Sequence, residues 1–211
     1  MKVAGQQVPL GKLVVPVAAM MAVVAAWNVL VQYPVGWLGL HDVLTWGAFS
    51  YPVAFLVNDL TNRRFGPAVT RRVVYAGFAL AVALSIWLAT SRIALASGTA
   101  FLVGQLLDIG VFNRLRRLDW WRAPLAGSVL GSAVDTCIFF SLAFAGDATM
   151  SAPTAYGPVT VPLWVGLAFF DFLVKVGCAL VALLPYGALM GWLKPWSGNT
   201  ASGSAAAGVV R

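Results

Sequence analysis

Six long apolar stretches carry most of this chain, and the polar residues inside them are few and unevenly placed. The stretches cover residues 13–33, 43–60, 73–91, 93–113, 124–145 and 161–184. A helix rises 1.5 Å per residue, so about 18–20 apolar residues cross the hydrocarbon core of a bilayer. The pattern therefore predicts an all-α polytopic membrane protein with six transmembrane helices. They leave no room for a second folded unit, so residues 1–196 are expected to form one transmembrane domain. The first stretch is too long for a cleavable signal and lacks a small-residue cleavage site, so it is expected to persist as a helix.

The connections are short. His41 and Asp42 turn the chain after the first span, and residues 146–160 form a Pro- and Gly-containing loop before the sixth. Almost nothing separates the third span from the fourth around Thr90 to Arg92, which makes those two helices adjacent and antiparallel. Pro185 is expected to end or kink the sixth span, and the stretch from there to Trp196 is too short to cross again. Residues 197–211 are Ala-, Gly- and Ser-rich and are expected to be disordered.

Composition sharpens the class. Of 211 residues, 60% are hydrophobic and 10% charged, with a mean hydropathy of +0.84. Soluble domains carry about 25% charged residues, so an ordinary soluble protein is excluded. The net charge of +7 would suit nucleic acid, but its distribution does not. Arg63, Arg64, Arg71 and Arg72 lie between spans two and three, and Arg114, Arg116, Arg117 and Arg122 between spans four and five. Lys2 and Lys12 precede the first span, while Lys194 and Arg211 come after the last. With both termini inside, all of these face the cytoplasm, leaving Arg92 outside and Lys175 within the membrane. This is the positive-inside pattern, N-in and C-in. The basic excess orients the chain against anionic lipid, and no separate basic domain exists to bind nucleic acid.

The candidate chemistry is acidic. All seven acidic residues are aspartates. Asp108, Asp135 and Asp171 sit deep in apolar stretches, and Asp59 lies at the end of one. An aspartate at the centre of a membrane helix costs about 2.5–3.5 kcal/mol on insertion scales, and such residues face a protein interior or a water-filled path. Gln105 shares a helix face with Asp108, one turn away. Asp171 and Lys175 are an i, i+4 pair, either a structural ion pair or a substrate or proton-relay element. Asp108 and Asp135 suit a functional role better than a structural one, since Ser, Thr or Asn would make an interhelical bond at lower cost. Asn58 and Asp59 lie near the interface, where Asp59 could cap or gate. Asn28 and Gln32 share a face of the first span.

The nine tryptophans mostly fall near span ends, as an interfacial belt would place them. Trp46 and Phe49 could instead wall a flat heterocycle. Cys137 and Cys178 lie mid-span and are expected to be buried free thiols. His41 is the only histidine and has no metal-ligand companions. No catalytic constellation or phosphate-binding loop appears. An enzyme is therefore disfavoured, no cofactor is called for, and uphill transport would draw on an ion gradient or a separate ATPase. Two echoes suggest repeated units of the kind transporters use: Ala54-Phe55-Leu56-Val57 recurs as Ala100-Phe101-Leu102-Val103, and Gly104-x3-Asp108 as Gly131-x3-Asp135.

Three blocks of residues resemble a known family. The first is Thr45-Trp46-Gly47-Ala48-Phe49-Ser50-Tyr51-Pro52 with Asn58-Asp59-Leu60-Thr61, Arg64-Phe65-Gly66 and Arg71-Arg72. The second runs from Arg92-Ile93 through Gly104-Gln105, Leu107-Asp108 and Val111-Phe112-Asn113-Arg114 to Trp120-Trp121, Asp135-Thr136 and Phe139-Phe140. The third is Asp171-Phe172, Lys175 and Leu184-Pro185-Tyr186-Gly187, and Asn28, Leu30-Val31-Gln32 and Pro34 also fit. In these the chain is similar to the queuosine-precursor transporters, the VUT or vitamin uptake transporter family. The resemblance implies an importer in the bacterial cytoplasmic (inner) membrane, carrying 7-cyano- or 7-aminomethyl-7-deazaguanine for salvage into tRNA queuosine. The family usually has a longer connection between the third and fourth spans than this chain, so affinity or substrate choice is expected to differ if that loop helps capture substrate.

Such a ligand presents ring and amine N–H donors beside a carbonyl acceptor, which a carboxylate and a neutral amide complement. Asp108 and Asp135 are then the expected base-edge acceptors, with Gln105 and Asn28 tuning selectivity. Gln32, Asn58, Asp59, Trp46 and Phe49 complete the substrate set, and Asp171 and Lys175 couple proton movement. The partners implied are a purine-like small molecule and the bilayer, and a homo-oligomer is compatible with the same pattern. The alternatives are a substrate-binding membrane subunit energised by a separate ATPase, and a structural protein whose polar residues only lock helix packing.

Overall fold

The computed structural model describes residues 2–3, 6–7, 9–33, 35–36, 45–88 and 90–195. The expected turn at His41 and Asp42 and the expected tail at 197–211 lie outside them. Two short strands, β1 (Lys2–Val3) and β2 (Gln6–Gln7), pair antiparallel ahead of the bundle. Helix α1 spans Leu10–Leu30, α2 Gly47–Ser50, α3 Pro52–Phe65, α4 Pro67–Leu88, α5 Ser91–Leu115, α6 Arg122–Phe144 and α7 Leu163–Met190. Strands β3 (Pro153–Tyr156) and β4 (Val159–Pro162) form an antiparallel hairpin before α7.

Among the described residues five helices, α1, α4, α5, α6 and α7, are long and apolar enough to cross a membrane. The chain is thus a multi-pass α-helical membrane protein, whose apolar core also encloses polar side chains while its outer surface carries apolar ones. Asn58, Gln105, Asp108 and Lys175 are buried, whereas Leu180, Val181 and Leu184 on α7 stand exposed. Lipid tails solvate alkyl side chains as well as a core does, so polar groups take the interior.

The second expected span departs most from its sequence reading. The segment 43–60 is displaced and divided, with α2 ending at Ser50 and α3 opening at Pro52. Proline has no N–H for the carbonyl of Ala48, and the Ala54 N–H donates instead to the Tyr51 carbonyl at 2.9 Å, a tightened turn. At the other end of α3, Gly66 has φ +78° and its N–H donates to the Asn62 carbonyl, after which Pro67 begins α4. This left-handed glycine followed by an N-terminal proline turns the chain in minimal length. Helix α4 therefore starts six residues earlier than 73, and Arg71 and Arg72 ride on it rather than in a connection.

Other boundaries also move. The loop at 146–160 contains most of the β3–β4 hairpin, whose pairing from Pro153 to Pro162 delays α7 to Leu163. Pro185 does not end the last helix, which runs through it to Met190. Cys137 is exposed and Cys178 only partly buried, so neither is the fully buried thiol expected. Trp27 is no belt residue: its ring packs on Tyr51 in the interior, centroids 5.2 Å apart.

A close backbone approach lies between α5 and α6. A Cβ built on Gly104 would sit 3.1 Å from the Gly131 carbonyl oxygen, and one on Gly131 would sit 3.1 Å from that of Gly104. Small residues of this kind let membrane helices meet backbone to backbone. Asp108 lies one turn beyond Gly104 on α5, and Asp135 one turn beyond Gly131 on α6. Because the helices are antiparallel, the carboxylates diverge by ~6 Å each along the bundle. Asp108 falls toward the arginine-rich end and Asp135 toward the hairpin end.

Gly131 carries a direct test of this crossing, since its added Cβ would also lie 2.6 Å from the Phe55 ring. Gly131→Ala is expected to destabilise the detergent-extracted protein by about 1–3 kcal/mol, as overpacked cores do. Thermal unfolding against Gly110→Ala, whose Cβ meets nothing within 4 Å, provides the comparison.

Candidate functional site

Two polar clusters flank the glycine crossing. The one nearer the hairpin end is saturated with bonds. Lys175 Nζ donates to Asp135 Oδ2 at 2.8 Å and to Thr136 Oγ1 at 3.2 Å, and lies 2.6 Å from Asp171 Oδ2. Tyr51 donates its hydroxyl to Asp135 Oδ1 at 2.6 Å, and Thr136 donates to Asp171 Oδ2 at 2.9 Å. The ammonium also stands 4.9 Å over the Tyr51 ring, a cation–π contact. Lys175 thus neutralises Asp171 as its spacing suggested, yet it is shared with Asp135 on a different helix. Two carboxylates face one ammonium, a formal excess of one negative charge.

The second cluster is poor in bonds. Asn58 Nδ2 donates to Asp108 Oδ2 at 2.5 Å and to the Gln105 carbonyl at 3.2 Å. Beyond those contacts, Asn58 Oδ1, Asp108 Oδ1 and both side-chain polar atoms of Gln105 are buried with no hydrogen-bond partner among the described residues. Asn58, Gln105 and Asp108 are all 0% exposed. A buried polar atom without a partner costs about 1–3 kcal/mol, so a concentration of them at one level needs a reason. Gly127 makes the space: a Cβ there would collide with Asp108 Oδ1.

Below this lies a third set toward the arginine end, on α3. Asp59 Oδ1, both amide atoms of Asn62 and Arg63 Nε also lack partners among the described residues. Ser132 Oγ, on α6, belongs to the same class. Ser128, Ser132, Asp135 and Thr136 form one helical stripe on α6, and Tyr51, Asn58, Asp59 and Asn62 a matching stripe leading down α3. The two stripes make a polar track along much of the bundle.

The remaining candidates stay outside these clusters. Asn28 and Gln32 donate back to their own helix, to the Val24 and Asn28 carbonyls at 2.9 and 3.0 Å. Trp46 and Phe49 pack on one another, ring centroids 5.7 Å apart, and both are more than a third exposed. Their helix α2 lies against α1 and α7, with Ala48 near Val174. Among the described residues no three His, Cys, Asp or Glu side chains are grouped as a metal would require.

A family model described as "Putative vitamin uptake transporter" matches residues 45–91 and 84–190. The chain belongs to the vitamin uptake transporter family. Relatives of this member include the "Queuosine precursor transporter" of Escherichia coli strain K12, 38% identical over 193 residues and covering 81% of this chain and 83% of that protein. The "Probable queuosine precursor transporter" of Haemophilus influenzae is 34% identical, covering 69% of this chain and 68% of its own length. That of Bacillus subtilis strain 168 is 28% identical over 170 residues, with 67% and 69% covered. No solved structure matches significantly.

The matched segments contain all three sets of polar residues, whereas Asn28 and Gln32 precede them. Sequence reasoning assigned no site role to Tyr51, Thr136, Ser132 or Asn62, although Tyr51 and Thr136 stand inside the blocks that carry the resemblance. The stripe of Ser and Thr at positions 128, 132 and 136 was a usable signal for two of them. A tyrosine directly before a mid-segment proline was a usable signal for Tyr51.

Proposed function

We propose that this chain imports queuosine precursors, the 7-cyano- or 7-aminomethyl-7-deazaguanines, across the bacterial cytoplasmic membrane for salvage into tRNA. The observation that carries this reading is the enclosed set on Asn58, Gln105 and Asp108, with acceptor and donor atoms left without protein partners. A guanine-like edge complements it. Asp108 Oδ1 takes the ring N–H, Asn58 Oδ1 takes the exocyclic amine, and Gln105 Nε2 donates to the carbonyl, while a hydrogen bond to a charged group contributes about 1.5–3 kcal/mol. The names of the relatives agree with this substrate class.

These side chains are shielded on every side here, so the base reaches them when α3 separates from α5 and α6, as alternating access requires. The arginine-rich end faces the cytoplasm. The Asp135–Lys175–Asp171 group couples transport to a proton, which neutralises its excess negative charge. Trp46 and Phe49 stack on the incoming ring near the hairpin end, where base–aromatic stacking contributes about 1–3 kcal/mol. Asn28 and Gln32 line the approach, and Asp59 receives the base on its way to the cytoplasm.

The test is complementation. The chain is expressed in a bacterial strain lacking both its own precursor importer and de novo precursor synthesis, and a 7-deazaguanine is supplied at nanomolar level. Queuosine is then expected in the tRNA. Its absence, with the chain shown to be in the membrane, would count against the assignment.

A further inference from the structure

At the arginine-rich end the polar track meets a cavity of about 160 Å³ lined by Arg63, Phe112, Arg116, Asp119, Trp120 and Tyr186, among others. On the inner side of Tyr186 is a second, much smaller space of about 10 Å³, bordered by Asp59, Ser128, Ala179 and Leu183. A space of that size holds about one water molecule. Tyr186 lines both spaces and is itself 1% exposed. Its ring packs with Phe112 and Ala123, and its phenol faces Arg63, with Asp59 and Arg116 close enough to act on it electrostatically. The side chain is therefore a partition between the interior, at the level of Asp59, and the arginine-end vestibule.

The backbone at Tyr186 lacks one helix hydrogen bond. Pro185 precedes it inside α7, and proline cannot donate to the carbonyl of Val181, which leaves the helix weak at that turn. Gly187 comes next, and the Trp120 ring approaches it so closely that an added Cβ would be 3.2 Å from the indole. Trp120 belongs to the connection between α5 and α6. The last turn of α7 thus meets that connection through a glycine, while Met190 packs beside it against the cluster of Phe112, Ala123 and Tyr186.

We propose that Tyr186 is the gate on the arginine-rich side of the transport path, its ring closing the track between Asp59 and the vestibule and opening by bending at Pro185. The proposal rests on a solute moving through the bundle, and not on which solute. It makes Tyr186 a positioning residue that controls access and leaves the base edge unread.

The test is thiol accessibility in a background with Cys137→Ser and Cys178→Ala. Ser128→Cys places a thiol on the inner side of the partition. Inside-out vesicles present the arginine-rich end to a membrane-impermeant thiol reagent. Labelling is expected to be slow with Tyr186 in place, at least tenfold faster in Tyr186→Ala, and unchanged in Tyr186→Phe, which keeps the ring. Tyr186→Leu serves as the second opening variant if the alanine protein is not monodisperse in detergent.

Equal labelling of the parent and the opening variants would overturn the gate, as would a phenylalanine variant that labels as fast as the alanine one. A transport readout separates gating from mere support of the fold. Tyr186→Ala should keep counterflow of a 7-deazaguanine but lose its accumulation against a gradient. If the parent chain moves no 7-deazaguanine, the functional assignment fails while the labelling still decides the gate.

Discussion

Lys175→Met is expected to destabilise the protein by about 3–5 kcal/mol, the range for breaking one side of a buried ion pair. The ammonium reaches Asp135 at 2.8 Å and Asp171 at 2.6 Å, and its side chain is 7% exposed. Methionine fills similar volume, so the loss is electrostatic rather than one of packing. It leaves two carboxylates in an apolar bundle with, among the described residues, only the Tyr51 and Thr136 hydroxyls as donors. The penalty should fall when the stranded charges are neutralised as well. Thermal unfolding in detergent therefore ought to rank the parent first, then the triple variant with Asp135→Asn and Asp171→Asn, and Lys175→Met last. A single variant as stable as the parent would mean that the lysine is solvated by water and is no structural keystone.

Asp108→Asn should act on transport instead. Asp108 Oδ2 already accepts from Asn58 at 2.5 Å, and Oδ1, without a hydrogen-bond partner among the described residues, is the atom proposed above to take the ligand N–H. An asparagine carries one oxygen and one NH2, so in either orientation a donor confronts a donor, at Asn58 or at the base. Losing a charge-assisted bond of about 1.5–3 kcal/mol lowers uptake by about 10–100-fold, at 1.4 kcal/mol per decade. Removing a charge from hydrocarbon is favourable, so the amount of protein in the membrane should not fall. The initial uptake rate, normalised to membrane-embedded protein, separates the two effects. Undiminished uptake would remove Asp108 from the binding set.

The contrast between these residues bears on how legible the site was. Three of the six expected spans, the first, fourth and fifth, lie within three residues of their sequence positions, because twenty apolar letters in a row leave little choice of structure. The sixth runs six residues further, to Met190. The second and third are displaced, since hydropathy cannot see that Pro52 removes a helix bond or that Gly66 can adopt φ +78°. The intramembrane aspartates were visible individually, because any charge there is anomalous. Their partners were not. Tyr51 and Asp135 are separated by 84 positions, and nothing local couples them. Likewise Asp108 and Asp135 look alike on paper, each four residues after a glycine, yet one is fully bonded and the other keeps a bare oxygen. That difference arises in three dimensions, from the antiparallel crossing that sends the two carboxylates to opposite ends.

The divided segment α2–α3 also bears on how the chain enters the bilayer during synthesis. An aspartate mid-helix opposes insertion by about 2.5–3.5 kcal/mol, whereas a leucine favours it by only about 0.3–0.6 kcal/mol. Helix α3 carries Asn58, Asp59, Asn62, Arg63 and Arg64 in fourteen residues, so its own hydropathy does not commit it to lipid as it leaves the ribosome. The groups that satisfy Asn58, on Gln105 and Asp108, are translated about fifty residues later. Topogenesis of this protein is accordingly not a sequence of independent insertions: α3 must wait, sheltered in the translocon or at the interface, until α5 arrives to receive it.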